Sequence, residues 1–183
     1  MSTALVVLDA QESFRARPDD WATIAPAEIT DRISTLVEHA RSAGDEIVWV
    51  LHTEPGTGTV FDPGIGHVRL LPGLIPDAGE IELSKTSHNA FTSTDLDQQL
   101  RERGVDHVVI CGIRTEQCCE TTARVASDLG YRVTFVLDAT ATMPLPRWRD
   151  SGDLAPEDIR DRTAAALQGR FADVVTLDDV VAS

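Results

Sequence analysis

The chemistry of this 183-residue chain can be sought first in three residues, Asp9, Lys85 and Cys118. Of the 16 basic residues 15 are arginine, and Lys85 is the lone lysine. Where arginine serves whenever any cation will do, a retained lysine suggests a need for a compact ammonium with a movable pKa. Cys118 falls in the first turn of an expected helix, where unpaired N–H groups and the positive end of the helix dipole favour a thiolate. Asp9 directly follows the apolar run Ala4 to Leu8, and a carboxylate there can accept a thiol proton. Together the three make a nucleophilic centre. Taken singly, each also has a plainer reading: Asp9 as a turn cap, Lys85 as a surface cation, Cys118 as a small buried hydrophobe. Cys119, about 100° around the helix from Cys118, and Cys111, inside a strand, read as packing residues.

The elements that must position these groups are short Val/Ile/Leu-rich runs: Ala4 to Leu8, Glu46 to Leu51, His107 to Cys111, Arg132 to Leu137 and Asp173 to Leu177, with a shorter extended run from Ile81 to Ser84. They lack polar alternation, as expected of strands covered on both faces. Helical patterns lie between them, over Pro26 to Ser42, Thr94 to Arg103, Glu116 to Leu129 and Pro156 to Gln168. Gly44, Gly104 and Gly130 fall just past three of these helices, where a left-handed residue is wanted. Strand alternating with helix predicts one α/β domain over residues 1–183, a doubly wound, mainly parallel sheet with helices on both faces, a Rossmann-type three-layer sandwich. In such sheets ligands bind at the carboxyl ends of the strands. Asp9, His52, Lys85, the stretch Gly112 to Cys119, and Asp138 stand at those ends. The turn-rich segments Thr53 to Pro76 and Thr140 to Ala155 are long enough to be functional loops.

Composition narrows the field further. The formal net charge of −14 argues against nucleic acid or an anionic membrane surface as a partner. No run approaches the length of a transmembrane helix, the first residues do not form a signal peptide, and three cysteines build no disulfide framework, so a reducing cytoplasm is expected. Gly56-Thr57-Gly58 lacks the rest of a dinucleotide fingerprint, and no phosphate-loop lysine motif occurs. His52, His67, His107 and the cysteines do not have metal-ligand spacing, and Ser87-His88 sits in no nucleophile elbow. The expectation is therefore a small-molecule substrate with neither cofactor nor metal.

Three segments carry a resemblance: Leu8-Asp9-Ala10-Gln11, the run Lys85-Thr86-Ser87-His88-Asn89-Ala90-Phe91, and Cys111-Gly112-Ile113-Arg114-Thr115-Glu116-Gln117-Cys118-Cys119-Glu120-Thr121-Thr122-Ala123. In this order the chain resembles the isochorismatase-like cysteine hydrolases, a group that includes nicotinamidases and N-carbamoylsarcosine amidases. The resemblance extends from about residue 4 to residue 138. It implies a six-stranded sheet, Asp9 as general base, Lys85 as its cationic partner and Cys118 as nucleophile. It also implies a cis peptide between Ile113 and Arg114 that turns the backbone N–H groups of Arg114 and Cys118 toward an oxyanion, and a homodimer or higher oligomer.

Two departures from the group's patterns matter. Metal-binding nicotinamidases carry an Asp two residues before the His at the end of the second strand, where this chain has Val50 before His52. True isochorismatases, which cleave a vinyl ether, have glycine at the position of Cys118 and a cysteine one place later, where this chain has Cys119. Retention of Cys118 favours covalent thiol chemistry. The resulting expectation is hydrolysis of a C–N bond in a small amide, ureide or carbamoyl-type compound through a Cys118 thioester. Phe14, His52, the Thr53 to Pro76 loop, Arg114 and Trp148 would supply the pocket wall. The alternatives are a vinyl-ether hydrolase without a covalent intermediate, a redox protein using Cys118 and Cys119, and a non-catalytic binding protein.

Overall fold

The computed structural model describes residues 2–182. Strands β1 (Ser2–Leu8), β2 (Glu46–His52), β3 (Ile81–Lys85), β4 (Val105–Ile113) and β5 (Arg132–Ala141) form most of a parallel sheet. A two-residue hairpin, β6 (Leu145–Pro146) with β7 (Asp153–Leu154), stands apart from it. The edge strand β8 (Asp173–Val175) completes the sheet in the order β3-β2-β1-β4-β5-β8. The chain thus winds outward from β1 to β3, returns to the middle as β4, and winds outward the other way. The point where the order reverses lies between β1 and β4, and the crevice above it is where a ligand site belongs.

Among the described residues seven α-helices accompany the sheet: α1 (Glu12–Arg15), α2 (Pro18–Trp21), α3 (Ile29–Ala43), α4 (Leu96–Glu102), α5 (Glu120–Asp128), α6 (Pro156–Leu167) and α7 (Leu177–Val181). Alternation along the strands explains the uniformly apolar runs. Leu5, Val7, Trp49, Val109 and Cys111 face a core closed by Ile33, Leu36 and Val37 of α3 and Leu177 of α7. Ala4, Val6, Leu8, Val48, Val50 and Ile110 face a second core closed by α4, α5 and Leu167 of α6. With both faces covered, Ala4 to Leu8 of β1, Ile47 to Leu51 of β2 and Val108 to Cys111 of β4 are apolar at every position.

Several boundaries differ from the sequence reading, each for a local reason. The helix expected from Pro26 begins at Ile29, because Ala25 is held extended by its pairing with Thr142. β5 runs on past Leu137 to Ala141 through an irregularity. Its pairing with β4 jumps from Ile110–Phe135 to Gly112–Thr140, so residues 140 and 141 are strand and not loop. The strand expected over Asp173 to Leu177 stops at Val175, because Thr176 and Asp179 form a reciprocal capping box that starts α7. The single helix expected from Glu116 is a π-helical turn, Thr115–Cys119, leading into α5.

Candidate functional site

Asp9 leaves β1 in a left-handed conformation, φ 51°, which a short polar side chain tolerates better than most. Its N–H donates to the Val50 carbonyl at 2.8 Å and its own carbonyl accepts from Gln11 N–H at 2.8 Å. Buried Gln11 then clamps the end of β2: its Nε2 donates to the His52 carbonyl at 3.1 Å and its Oε1 accepts the His52 N–H at 2.7 Å. These bonds hold the carboxylate over the crevice.

Lys85 ends β3, two strands away from β1. Neighbouring strands lie roughly 5 Å apart, so only a long side chain spans that gap. Its Nζ reaches Asp9 Oδ2 at 2.8 Å, donates to Cys118 Sγ at 3.4 Å and donates to the Ser87 carbonyl at 3.1 Å. Asp9 and Lys85 are fully buried and Cys118 is nearly so. No backbone N–H among the described residues donates to the Asp9 carboxylate, which leaves it available as a base.

Cys118 is brought to this pair by β4. Gly112 has φ 131°, and a β-carbon there would stand 1.9 Å from the Leu8 carbonyl oxygen. Only glycine lets β4 press this closely on β1 at the point where the order reverses. The next peptide, Ile113–Arg114, is cis. The π-helical turn then closes with Gln117 N–H and Cys119 N–H both donating to the Arg114 carbonyl, at 3.3 and 3.2 Å. Such turns recur at functional sites.

The electrostatics overturn one expectation. The thiol is not held as a thiolate by the helix end. Burial, and after it the charge of Asp9, push Cys118 above the usual thiol range, while Lys85 pulls the other way. Burial likewise raises Asp9 above its usual 3.8, opposed by Lys85 and Cys118. For Lys85 burial works against the charge, yet Asp9 and Cys118 together hold the ammonium above the usual 10.5. One cation can neutralise one anion in this dry site. Burial thus biases both Asp9 and Cys118 toward their protonated forms beside the charged Lys85.

Asp9 and Cys118 open onto a cavity of about 190 Å³, room for a small molecule only. The expected residues Phe14, His52 and Arg114 line it. Phe14 and His52 both meet Phe61 edge-on, at ring centroid distances of 5.3 and 5.5 Å. Arg114 turns its guanidinium away, donating to the Met143 carbonyl at 3.1 Å and lying 3.3 Å from Glu116. Its side chain is therefore part of the wall and not a free cation. Trp148 does not join the wall, since it is 87% exposed on the β6–β7 hairpin and absent from the cavity lining. Asp138 is also no part of the site. It pairs with Arg32 at 2.7 Å and accepts the Leu177 N–H at 2.7 Å, holding α3 and α7 to the sheet.

Sequence reasoning did not assign Arg17, His88 or Gln117 to the site, and it covered Glu54 and Phe61 only through the expected Thr53 to Pro76 loop; all five line the cavity. His88 and Gln117 lie within the motif segments, and Glu54 and Phe61 within the turn-rich loop. Nothing in the sequence singles out Arg17, whose guanidinium is placed 5.2 Å from the Phe61 ring centroid and 5.8 Å from that of Phe14. Among the described residues no group of three or more His, Cys, Asp or Glu side chains gathers to hold a metal ion, and no helix is long and apolar enough to cross a membrane.

A doubly wound parallel sheet whose reversal-point crevice holds a thiol, an ammonium and a carboxylate defines the class: an α/β protein furnished for nucleophilic chemistry on a small molecule. The chain belongs to the isochorismatase family of hydrolases, and the Isochorismatase domain matches residues 3–179. It is 33% identical over 177 residues to a streptothricin hydrolase of Streptomyces noursei, covering 97% of this chain and 60% of that one. It is 30% identical over 173 residues to the ureidoacrylate amidohydrolase RutB of Caulobacter vibrioides, covering 76% of each. Among solved structures, a cysteine hydrolase from Pseudomonas syringae pv. phaseolicola superposes with a TM-score of 0.89 at 27% identity, over 98% of this chain and 91% of that one.

Proposed function

We propose that the protein hydrolyses a C–N bond in a small amide, ureide or carbamoyl-type compound through a thioester on Cys118. The observation that carries this reading is the contact of a fully buried Asp9–Lys85 ion pair with the Cys118 thiol at the floor of a small cavity. The likeness to an amidohydrolase acting on ureidoacrylate and to a streptothricin hydrolase supports the same bond type.

Asp9 takes the Cys118 proton as the sulfur attacks the substrate carbonyl carbon. The carbonyl oxygen becomes an oxyanion held by the backbone N–H groups of Arg114 and Cys118. Lys85 keeps the charge balanced as the anion moves from carboxylate to sulfur to substrate. The tetrahedral intermediate collapses, the C–N bond breaks, and Asp9 returns the proton to the departing nitrogen. Water then attacks the thioester carbonyl, giving its proton to Asp9. The C–S bond breaks, and that proton restores the thiol and the resting site.

A panel of small amides, ureides and carbamoyl compounds, followed by intact-mass measurement, tests this. The expected result is turnover with a transient acyl mass on the wild type and neither in Cys118→Ala. Cleavage of isochorismate-like vinyl ethers that survives Cys118→Ala, with no amide turned over, would establish the non-covalent alternative instead.

A further inference from the structure

Glu116 is buried to nine-tenths, and neither of its carboxylate oxygens accepts a hydrogen bond among the described residues. Its charge contact is Arg114 Nε at 3.3 Å. The side chain lines a second cavity, of about 330 Å³, walled by Leu145 and Leu154 of the β6–β7 hairpin and by Asp158, Ile159 and Arg162 of α6. Arg162 is already engaged with Glu120 at 2.6 Å. A mostly apolar cavity bounded by Glu116 and Asp158 suits an occupant with an apolar body and an N–H or cationic edge.

The same hairpin displays such a group. Between β6 and β7 the chain carries Arg147-Trp148-Arg149. Trp148 is 87% exposed, and the Arg149 guanidinium lies 5.6 Å from its ring centroid. No residue of this tip lines the cavity, so its own protomer leaves the cavity open. Arg147 and Arg149 flank the indole, with one carboxylate, Asp150, following them in the tip. The first turns of α6 beside the cavity carry Glu157, Asp158 and Asp161, while Arg160 is turned to the Leu137 carbonyl and Arg162 to Glu120.

We propose that the Arg147–Arg149 tip docks into this cavity on a second copy of the chain. Trp148 would enter among Leu145, Leu154 and Ile159, its flanking arginines facing the partner's acidic rim. Tip and cavity share one hairpin, so the contact is reciprocal about a two-fold axis, each copy giving a tip and receiving one. The contact adjoins the site, because Glu116 meets Arg114, which lines the Asp9–Cys118 cavity.

Sedimentation velocity over a concentration series tests the proposal, with circular dichroism to confirm that each surface variant is folded. The wild type is expected to dimerise, and Trp148→Ala to raise the dissociation constant about 30-fold, as loss of an aromatic anchor does. Asp158→Arg is expected to weaken the dimer, and so is the pair Arg147→Asp with Arg149→Asp. All three substitutions together restore the charge match and recover association. A wild type that stays monomeric at micromolar concentration, a dimer indifferent to Trp148→Ala, or a triple variant that fails to recover would overturn it.

Discussion

Replacing Lys85 by arginine keeps the charge and tests whether the site needs an ammonium. The three N–H bonds of Nζ match three partners: Asp9 Oδ2 at 2.8 Å, the Ser87 carbonyl at 3.1 Å and Cys118 Sγ at 3.4 Å. The guanidinium is planar, has five donors and adds two heavy atoms at a position with no solvent exposure. Overfilling a packed interior costs about 1–3 kcal/mol, and each buried donor left without a partner costs about 1–3 kcal/mol more. Relief comes only by displacing Asp9 or Cys118, and misplacement of a reacting group by about 1 Å lowers a rate roughly 10²-fold. Lys85→Arg is therefore expected to lower kcat/KM at least about 100-fold and to lose about 2–4 kcal/mol in urea unfolding. The assay is steady-state turnover of any substrate found by the amide panel, alongside the unfolding curve. Near-normal kcat/KM with an unchanged midpoint would refute the argument and return the lone lysine to an accident of composition.

Three further outcomes follow from the geometry. Burial raises Asp9 above 3.8, so its protonated, non-basic form persists above that pH, and the acid limb of kcat/KM is expected to have its midpoint above 3.8; a midpoint below it contradicts the assignment of Asp9 as base. The sign for stability is opposite: the folded chain binds this proton more tightly than the unfolded one, so the Asp9 contribution favours folding below pH 3.8 and is lost as pH rises through the raised value. Because burial pushes the Cys118 thiol upward, iodoacetamide is expected to label the resting protein slowly at neutral pH, with a rate that climbs about tenfold per pH unit into the alkaline range; rapid labelling already complete at pH 6 would show a preformed thiolate. Gly112→Ala places a methyl 1.9 Å from the Leu8 carbonyl at φ 131°, and a loss of about 4 kcal/mol or more is expected; a melting temperature within a few degrees of wild type, about 1 kcal/mol, would show that β1 and β4 can part there at little cost.

Much of this was legible in the sequence because it depends on local pattern. Uniformly apolar runs separated by helical periodicity dictate strands covered on both faces, and hence a doubly wound sheet whose ligands sit at the strand ends. That placed Asp9, Lys85 and Cys118 at one end of the sheet, and Lys85 stood out through composition alone. The three motif segments lie far apart along the chain, and only the sheet order β3-β2-β1-β4 makes their side chains meet. The same order leaves Asp138 out, because an irregularity in β5 turns it to Arg32 and α7. Arg17 and Phe61 reach the cavity by long-range packing that no periodicity reports. The protonation state of the thiol likewise belongs to tertiary structure. Position at a helix start argued for a thiolate, whereas near-complete burial beside a carboxylate pushes the thiol toward its protonated form, because desolvation and a neighbouring charge outweigh a helix dipole where water is scarce.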